Sequence, residues 1–204
     1  MKIIRFVNSV FSSNTYLVHN DKEGFIVDPG DTGPVTDFLR ESGLTLRAVL
    51  LTHTHYDHIY GLSVIMEMYP GIPVYTSEFG KTALTRPAWN FSRYHDDPIN
   101  IDSPMIRAVS DGEVISPVEG CSISVMETPG HDMSCLCFLI DGGIFTGDSY
   151  IPGVKVVATF PKSDRKMAEM WYRELENISR EYQIYPGHGE IGGITKKHYC
   201  TFCR

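Results

Sequence analysis

Three imidazoles and one carboxylate stand within six residues in the stretch His53-Thr54-His55-Tyr56-Asp57-His58. Imidazole and carboxylate are ligands for borderline-soft divalent cations, so this spacing points to metal chemistry. In an extended segment alternate side chains share a face. His53, His55 and Asp57 therefore point one way, and His58, which opens the next segment, points another. One cation is poorly served by all four donors, whereas two adjacent cations can divide them. A polar, solvated loop is the competing reading. Against it, five of the eight histidines fall in this stretch or in two similar turns downstream.

Three later turns repeat the pattern of a candidate ligand beside a glycine at the end of an apolar run: Thr128-Pro129-Gly130-His131, Thr146-Gly147-Asp148 and Tyr185-Pro186-Gly187-His188-Gly189. Glycine lets the backbone come close to a bound ion or to a neighbouring chain segment. Asp28, in Asp28-Pro29-Gly30, reads as the cap of a turn, and His19 and His95 read as ordinary polar residues without partners.

The elements that must position these groups follow from periodicity. Residues 2–28 read as three strands (3–7, 15–18, 24–27), followed by a helix on Val35, Phe38 and Leu39 that Gly43 closes. The apolar run Arg47 to Leu51 is a buried strand that delivers the histidine loop, and Ile59, Leu62, Ile65 and Met66 continue it as one amphipathic helix to Pro70. A strand over 72–75 and a helix over 78–84 come next. Residues 85–103 have no period and read as a functional flap, with Trp89, Asn90, Phe91, Tyr94 and His95 as candidate pocket residues. A second strand series (106–109, 121–126, 136–140, 144–146) precedes a long helix from Ser163, with Met167, Trp171, Leu175, Ile178 and Tyr182 as its core stripe, and a last strand over 183–185. Two strand series, each closed by helices, imply two packed sheets with helices outside.

A chain of 204 residues with 42% hydrophobic and 21% charged residues fits one catalytic domain spanning 1–204, with 190–204 as a short tail. The formal net charge of −7 argues against nucleic acid as partner, because that affinity rests on Lys and Arg neutralising phosphates. The N-terminus carries neither a signal-peptide pattern nor a membrane span, and the expected location is the cytoplasm. Five cysteines fit reduced thiols better than a disulfide framework. The tail pair Cys200 and Cys203, with His198 nearby, offers too few ligands for a structural zinc.

The set His-x-His-x-Asp-His, followed by His131, Asp148 and His188 on glycine-containing turns, resembles the metallo-β-lactamase superfamily. Within it the set is most similar to the glyoxalase II branch, in which Asp takes the bridging position. The resemblance implies an α/β fold, a four-layer αββα sandwich with the site at one edge of the paired sheets. It further implies one metal on His53, His55 and His131, a second on Asp57, His58 and His188, and Asp148 between them. The implied cofactors are two divalent ions, zinc foremost, with iron or manganese as alternatives. The implied activity is hydrolysis of a thioester or ester of a small-molecule substrate by metal-bound hydroxide, with Asp57 also orienting the nucleophile. A thiolate, whose thiol pKa is about 8.5, leaves without a strong general acid, which suits a site with no spare acid. Lys155, Tyr150 and Asn90 are the candidate substrate contacts. After Asp148, however, the segment through Lys155 lacks the family's glutathione-binding pattern. Competing readings are a mononuclear iron persulfide dioxygenase on one of the paired histidines with His131 and Asp148, a lactonase, a phosphodiesterase, or a non-catalytic module. Monomer and homodimer both remain open.

Overall fold

The structure, a computed structural model, describes residues 1–193; residues 194–204, with Cys200 and Cys203, lie outside the described residues. Strands β1 (Lys2–Val7), β2 (Asn14–His19), β3 (Glu23–Val27), β4 (Thr45–Leu50), β5 (Val74–Thr76) and β6 (Ile106–Ala108) form one sheet in sequence order. Its first three strands are an antiparallel meander, and β3 through β6 are parallel. The second sheet has the order β12-β11-β10-β9-β8-β7 and comprises β7 (Val114–Ile115), β8 (Ile123–Glu127), β9 (Leu136–Ile140), β10 (Gly143–Gly147), β11 (Gln183–Pro186) and β12 (Gly192–Gly193).

Strand periodicity of two sorts the apolar side chains into three layers of core. Val18, Phe25, Ala48 and Leu50 point from the first sheet toward Ile123, Val125, Phe138 and Phe145 of the second. Their neighbours Leu17, Ile26, Val49 and Val74 face the opposite way, against α1 (Thr32–Ser42), α3 (Leu62–Met68) and α4 (Glu78–Leu84). On the far side, Cys137, Ile144 and Ile184 pack on Leu175 of α5 (Arg165–Ile178). Strands buried on both faces read as continuous apolar runs, which is why β2 to β4 are so plain in the sequence. Each fully buried Leu or Phe contributes about 1.5–3 kcal/mol. The result is the expected αββα sandwich.

Two local expectations are corrected, and two short strands are added. The single helix expected from Ile59 to Pro70 is instead two, α2 (Tyr56–Ile59) and α3, divided at Tyr60-Gly61. A Cβ on Gly61 would lie 2.1 Å from the Gly30 carbonyl oxygen, so close packing on the neighbouring turn sets the break. The long helix starts after Asp164, whose carboxylate caps the Lys166 and Met167 amides, not at Ser163. Strands β7 and β12, two residues each, carry no periodic signal and were not expected.

Candidate metal centre

Each candidate ligand leaves the C-terminal end of a strand. Strand β4 runs into the loop holding His53 and His55, and α2 presents Asp57 and His58. Strands β8, β10 and β11 run in one direction and end in the turns of His131, Asp148 and His188, so the second sheet delivers three ligands to a single edge. The two sheets are joined at this edge. Leu136 N donates to Thr52 O at 2.7 Å, Asn14 N donates to Gly187 O at 2.7 Å, and Ser13 forms a bridge with His188.

The donors gather into two sets. Ring nitrogens of His53, His55 and His131 lie within 4.8 Å of one another, and so do the ligand atoms of Asp57, His58 and His188. Asp148 stands between the sets. Its carboxylate oxygens are 3.6 Å from His58 Nε2, 3.6 Å from His131 Nε2 and 3.5 Å from His188 Nε2. Gly187 is required beside it, because a Cβ there would fall 2.3 Å from Asp148 Oδ1.

Outer hydrogen bonds fix which ring nitrogen each histidine turns inward. His131 Nδ1 donates to Val157 O at 2.7 Å, His188 Nδ1 donates to Phe11 O at 3.2 Å, and His58 Nδ1 donates to Asp28 Oδ2 at 3.0 Å, so all three aim Nε2 at the centre. Asp28 also accepts from the Thr52 amide and hydroxyl, and it is no mere turn cap. Its place at the end of β3, directly beside β4, gives it the same strand-end position as the candidate ligands. His55 Nε2 lies 3.5 Å from Asp132 Oδ2, and Asp132 accepts from the Ser134 amide and hydroxyl. The Thr54 amide donates to Ser134 Oγ, closing a brace around the loop.

Two buried atoms show that the sets suit cations. His53 Nε2 and Asp148 Oδ1 are enclosed and make no hydrogen bond, a costly state for a polar atom unless an ion completes it. The charges agree. Burial, then the imidazoles of His58 and His55, holds His53 well below the usual histidine range, and burial lowers His131 as well. In the other set burial is outweighed: Asp57 and Asp148 carry His58 well above its ordinary value, and Asp148 and Asp57 push His188 up to about 9. Burial raises the two carboxylates, but the adjoining imidazoles, His58 foremost, overcome it and hold both below the carboxylate range. His53 and His131 therefore offer neutral imidazoles, and the second set offers anions whose partners are protons or cations.

The sets open into a cleft of about 280 Å³ lined by Phe11, Tyr56, Phe91, His95, Val157 and Phe160 besides the donors. His95, read both as a candidate pocket residue and as an ordinary polar one, lines the cleft and stacks on Tyr56 with ring centroids 3.6 Å apart, and Tyr56 OH donates to Asp97 Oδ1 at 2.6 Å. The three expected substrate contacts lie elsewhere. Tyr150 is buried against Tyr172 with its hydroxyl toward Ser179, because its side chain follows β10 into the core under α5. Lys155 is exposed over a separate groove shared with Glu169, Tyr172 and Arg173. Asn90 is buried, bonded to Ala83 O, Ile99 O and the Ser92 amide, and it pins the 85–103 segment while its neighbour Phe91 reaches the cleft. Cys121, Cys135 and Cys137 are buried free thiols, with burial raising each. Among the described residues no helix is long and apolar enough to cross a membrane.

Known proteins place this geometry in a family. The metallo-beta-lactamase superfamily model matches residues 8–188. A probable metallo-hydrolase of Streptococcus pyogenes is 32% identical over 195 residues, covering 93% of this chain and 84% of that protein. The hydroxyacylglutathione hydrolase of Tolumonas auensis is 27% identical over 177 residues, 85% of this chain, and the match spans only 60% of that enzyme's length. Among solved structures, the BLEG-1 B3 metallo-beta-lactamase superposes with a TM-score of 0.84 at 25% identity over 94% of this chain and 93% of that one. TTHA1623 in a di-iron-bound form superposes with a TM-score of 0.78 at 24% identity over 93% of each chain. With a family model covering most of its length and a curated relative matched nearly end to end, the chain belongs to the metallo-beta-lactamase superfamily.

Proposed function

We propose that this protein is a metal-dependent hydrolase that cleaves a thioester or ester of a small molecule in the cytoplasm. The observation that carries the reading is the convergence of seven nitrogen and oxygen donors in two sets spanned by Asp148, five of them (His55, Asp57, His131, Asp148 and His188) lining one cleft. His53, His55 and His131 would hold one divalent cation, and Asp57, His58 and His188 a second, with zinc the first candidate. When bound, such a pair supplies a water acidified toward neutrality and an electrophile for the carbonyl oxygen.

The residues divide the remaining work. Asp28 and Asp132 orient His58 and His55, the Val157 and Phe11 carbonyls orient His131 and His188, and Asp57, next to the cleft, accepts a hydrogen bond from the attacking water and fixes its direction. In the overall reaction the oxygen of water joins the carbonyl carbon, the C–S or C–O bond breaks, and the leaving group departs with a proton from that water. No oxidant is consumed.

The test is elemental analysis of the purified protein alongside a panel of thioesters, lactones, phosphodiesters and β-lactams. About two zinc ions per chain with thioester or ester turnover is the expected result. One iron per chain, with oxygen uptake on a persulfide and no hydrolysis, would overturn it in favour of the dioxygenase reading.

A further inference from the structure

The mouth of the cleft is built from aromatic rings on unfavourable backbone. Phe11 has φ 51° and Phe91 has φ 61°. For a bulky L residue the left-handed region crowds Cβ against the following carbonyl, and a phenylalanine there is a genuine outlier. Such conformations persist where the surroundings enforce them, and they cluster at functional sites. Phe11 gains little burial in return, since it stays 73% exposed. Its turn is fastened to the second donor set, because its carbonyl accepts from His188 and the Ser13 hydroxyl donates to Asp57 O at 2.7 Å. Across the cleft, Phe91 and Phe160 stand edge-on to His55 with centroids 4.8 and 5.2 Å away, and 5.3 Å from each other. Rings thus flank both donor sets. The lining contains no Lys or Arg, and its carboxylates are Asp57 and Asp148.

We propose that this collar binds the aliphatic acyl chain of the substrate, so that the substrate class is an uncharged, apolar acyl thioester or ester. The inference rests on the hydrolase reading above and narrows it. A carboxylate on the acyl chain would lose its hydration against the Phe11, Phe91 and Phe160 rings with no Lys or Arg in the lining to pair it, which is unfavourable. Each methylene moved from water onto the rings improves binding by about fourfold. That gain continues until the cleft of about 280 Å³ is filled.

The test uses the zinc-loaded protein and N-acetylcysteamine thioesters of acetate, butyrate, hexanoate and succinate. Calorimetric binding of the four free acids runs alongside. The expected result is a kcat/KM rising about fourfold per methylene from acetyl to butyryl, with succinyl well below butyryl, and free-acid affinities in the same order. Phe11→Gly should flatten the slope and Phe11→Leu should keep most of it. The thermal midpoint of Phe11→Gly should hold or rise, because glycine adopts this φ freely. A flat series, or a preference for succinyl, overturns the proposal while leaving hydrolysis intact. If no thioester is cleaved, the hydrolase reading falls, and the binding series alone decides: hexanoate tighter than acetate upholds the apolar collar, and equal affinities overturn it. A Phe11→Gly protein with a lower midpoint and an unchanged slope assigns the ring to the fold and removes Phe11 from the collar.

Discussion

The two donor sets sit side by side yet differ in nearly every surrounding. His53, His55 and His131 are all imidazoles, sealed from solvent at 7% side-chain exposure or less. Asp57, His58 and His188 mix charge types, and His188 keeps 23% of its side chain exposed beside the cleft. Burial drives protons off His53 and His131; in the second set the carboxylates hold them on His58 and His188. A cation entering the first set meets neutral imidazoles at His53 and His131. One entering the second must displace protons from His58 and His188. The first set is accordingly the rigid anchor, and the second is the one that solution conditions reach.

The largest disturbance of this contrast is to remove the group both sets share. Asp148→Ala should abolish turnover and lower the metal content of both sets, measured by elemental analysis. Retention of two ions per chain would show that Asp148 does not span them. A more selective break comes from the outer carboxylates. Asp28→Asn should weaken metal binding by the second set roughly 10–100-fold and spare the first, and Asp132→Asn should do the reverse. Competition with a chromophoric chelator, resolving two affinities, separates these outcomes.

Acidity should sharpen the same difference. His58 and His188 are raised, His188 to about 9, so affinity at the second set should climb by about tenfold per pH unit for each proton displaced, until pH passes 9. His53 and His131 are lowered, so affinity at the first set should stay level down to about pH 6.5. For the metal-free protein the sign inverts. The contribution of His188 to stability is complete below about pH 6.5 and lost as pH rises through 9, while that of Asp57 and Asp148 is present above about pH 4 and lost on acidification. Chemical denaturation of chelator-treated protein across pH 4–10 checks both limbs. The smallest effect concerns the flap. Asp97→Ala removes the Tyr56 hydroxyl's acceptor and should cost about 0.5–1.5 kcal/mol, leaving metal content unchanged.

The donors were legible in the sequence because ligand chemistry tolerates few residue types and each lies at the end of a strong apolar run. The layers were legible for the same reason: Leu17 and Val18, or Val49 and Leu50, alternate between two cores whose faces period-two patterning separates. What was not legible depends on contacts between segments far apart in the sequence. Asp28 takes its role from the packing of β3 beside β4, and His95 from a stack on Tyr56 far away in sequence. Tyr150 and Lys155 lie away from the cleft, because closeness to Asp148 along the chain says little about side-chain direction once the backbone turns.

The division of the candidate ligands between sheets has one more outcome. His53, His55, Asp57 and His58 belong to the half of the chain that builds the first sheet, and His131, Asp148 and His188 to the half that builds the second, so each set draws on both. A bound ion is then a clasp across the seam, and its binding energy is energy that keeps the halves shut. Stripping the ions should loosen the interior layer around Phe25, Phe138 and Phe145 before the outer helices let go.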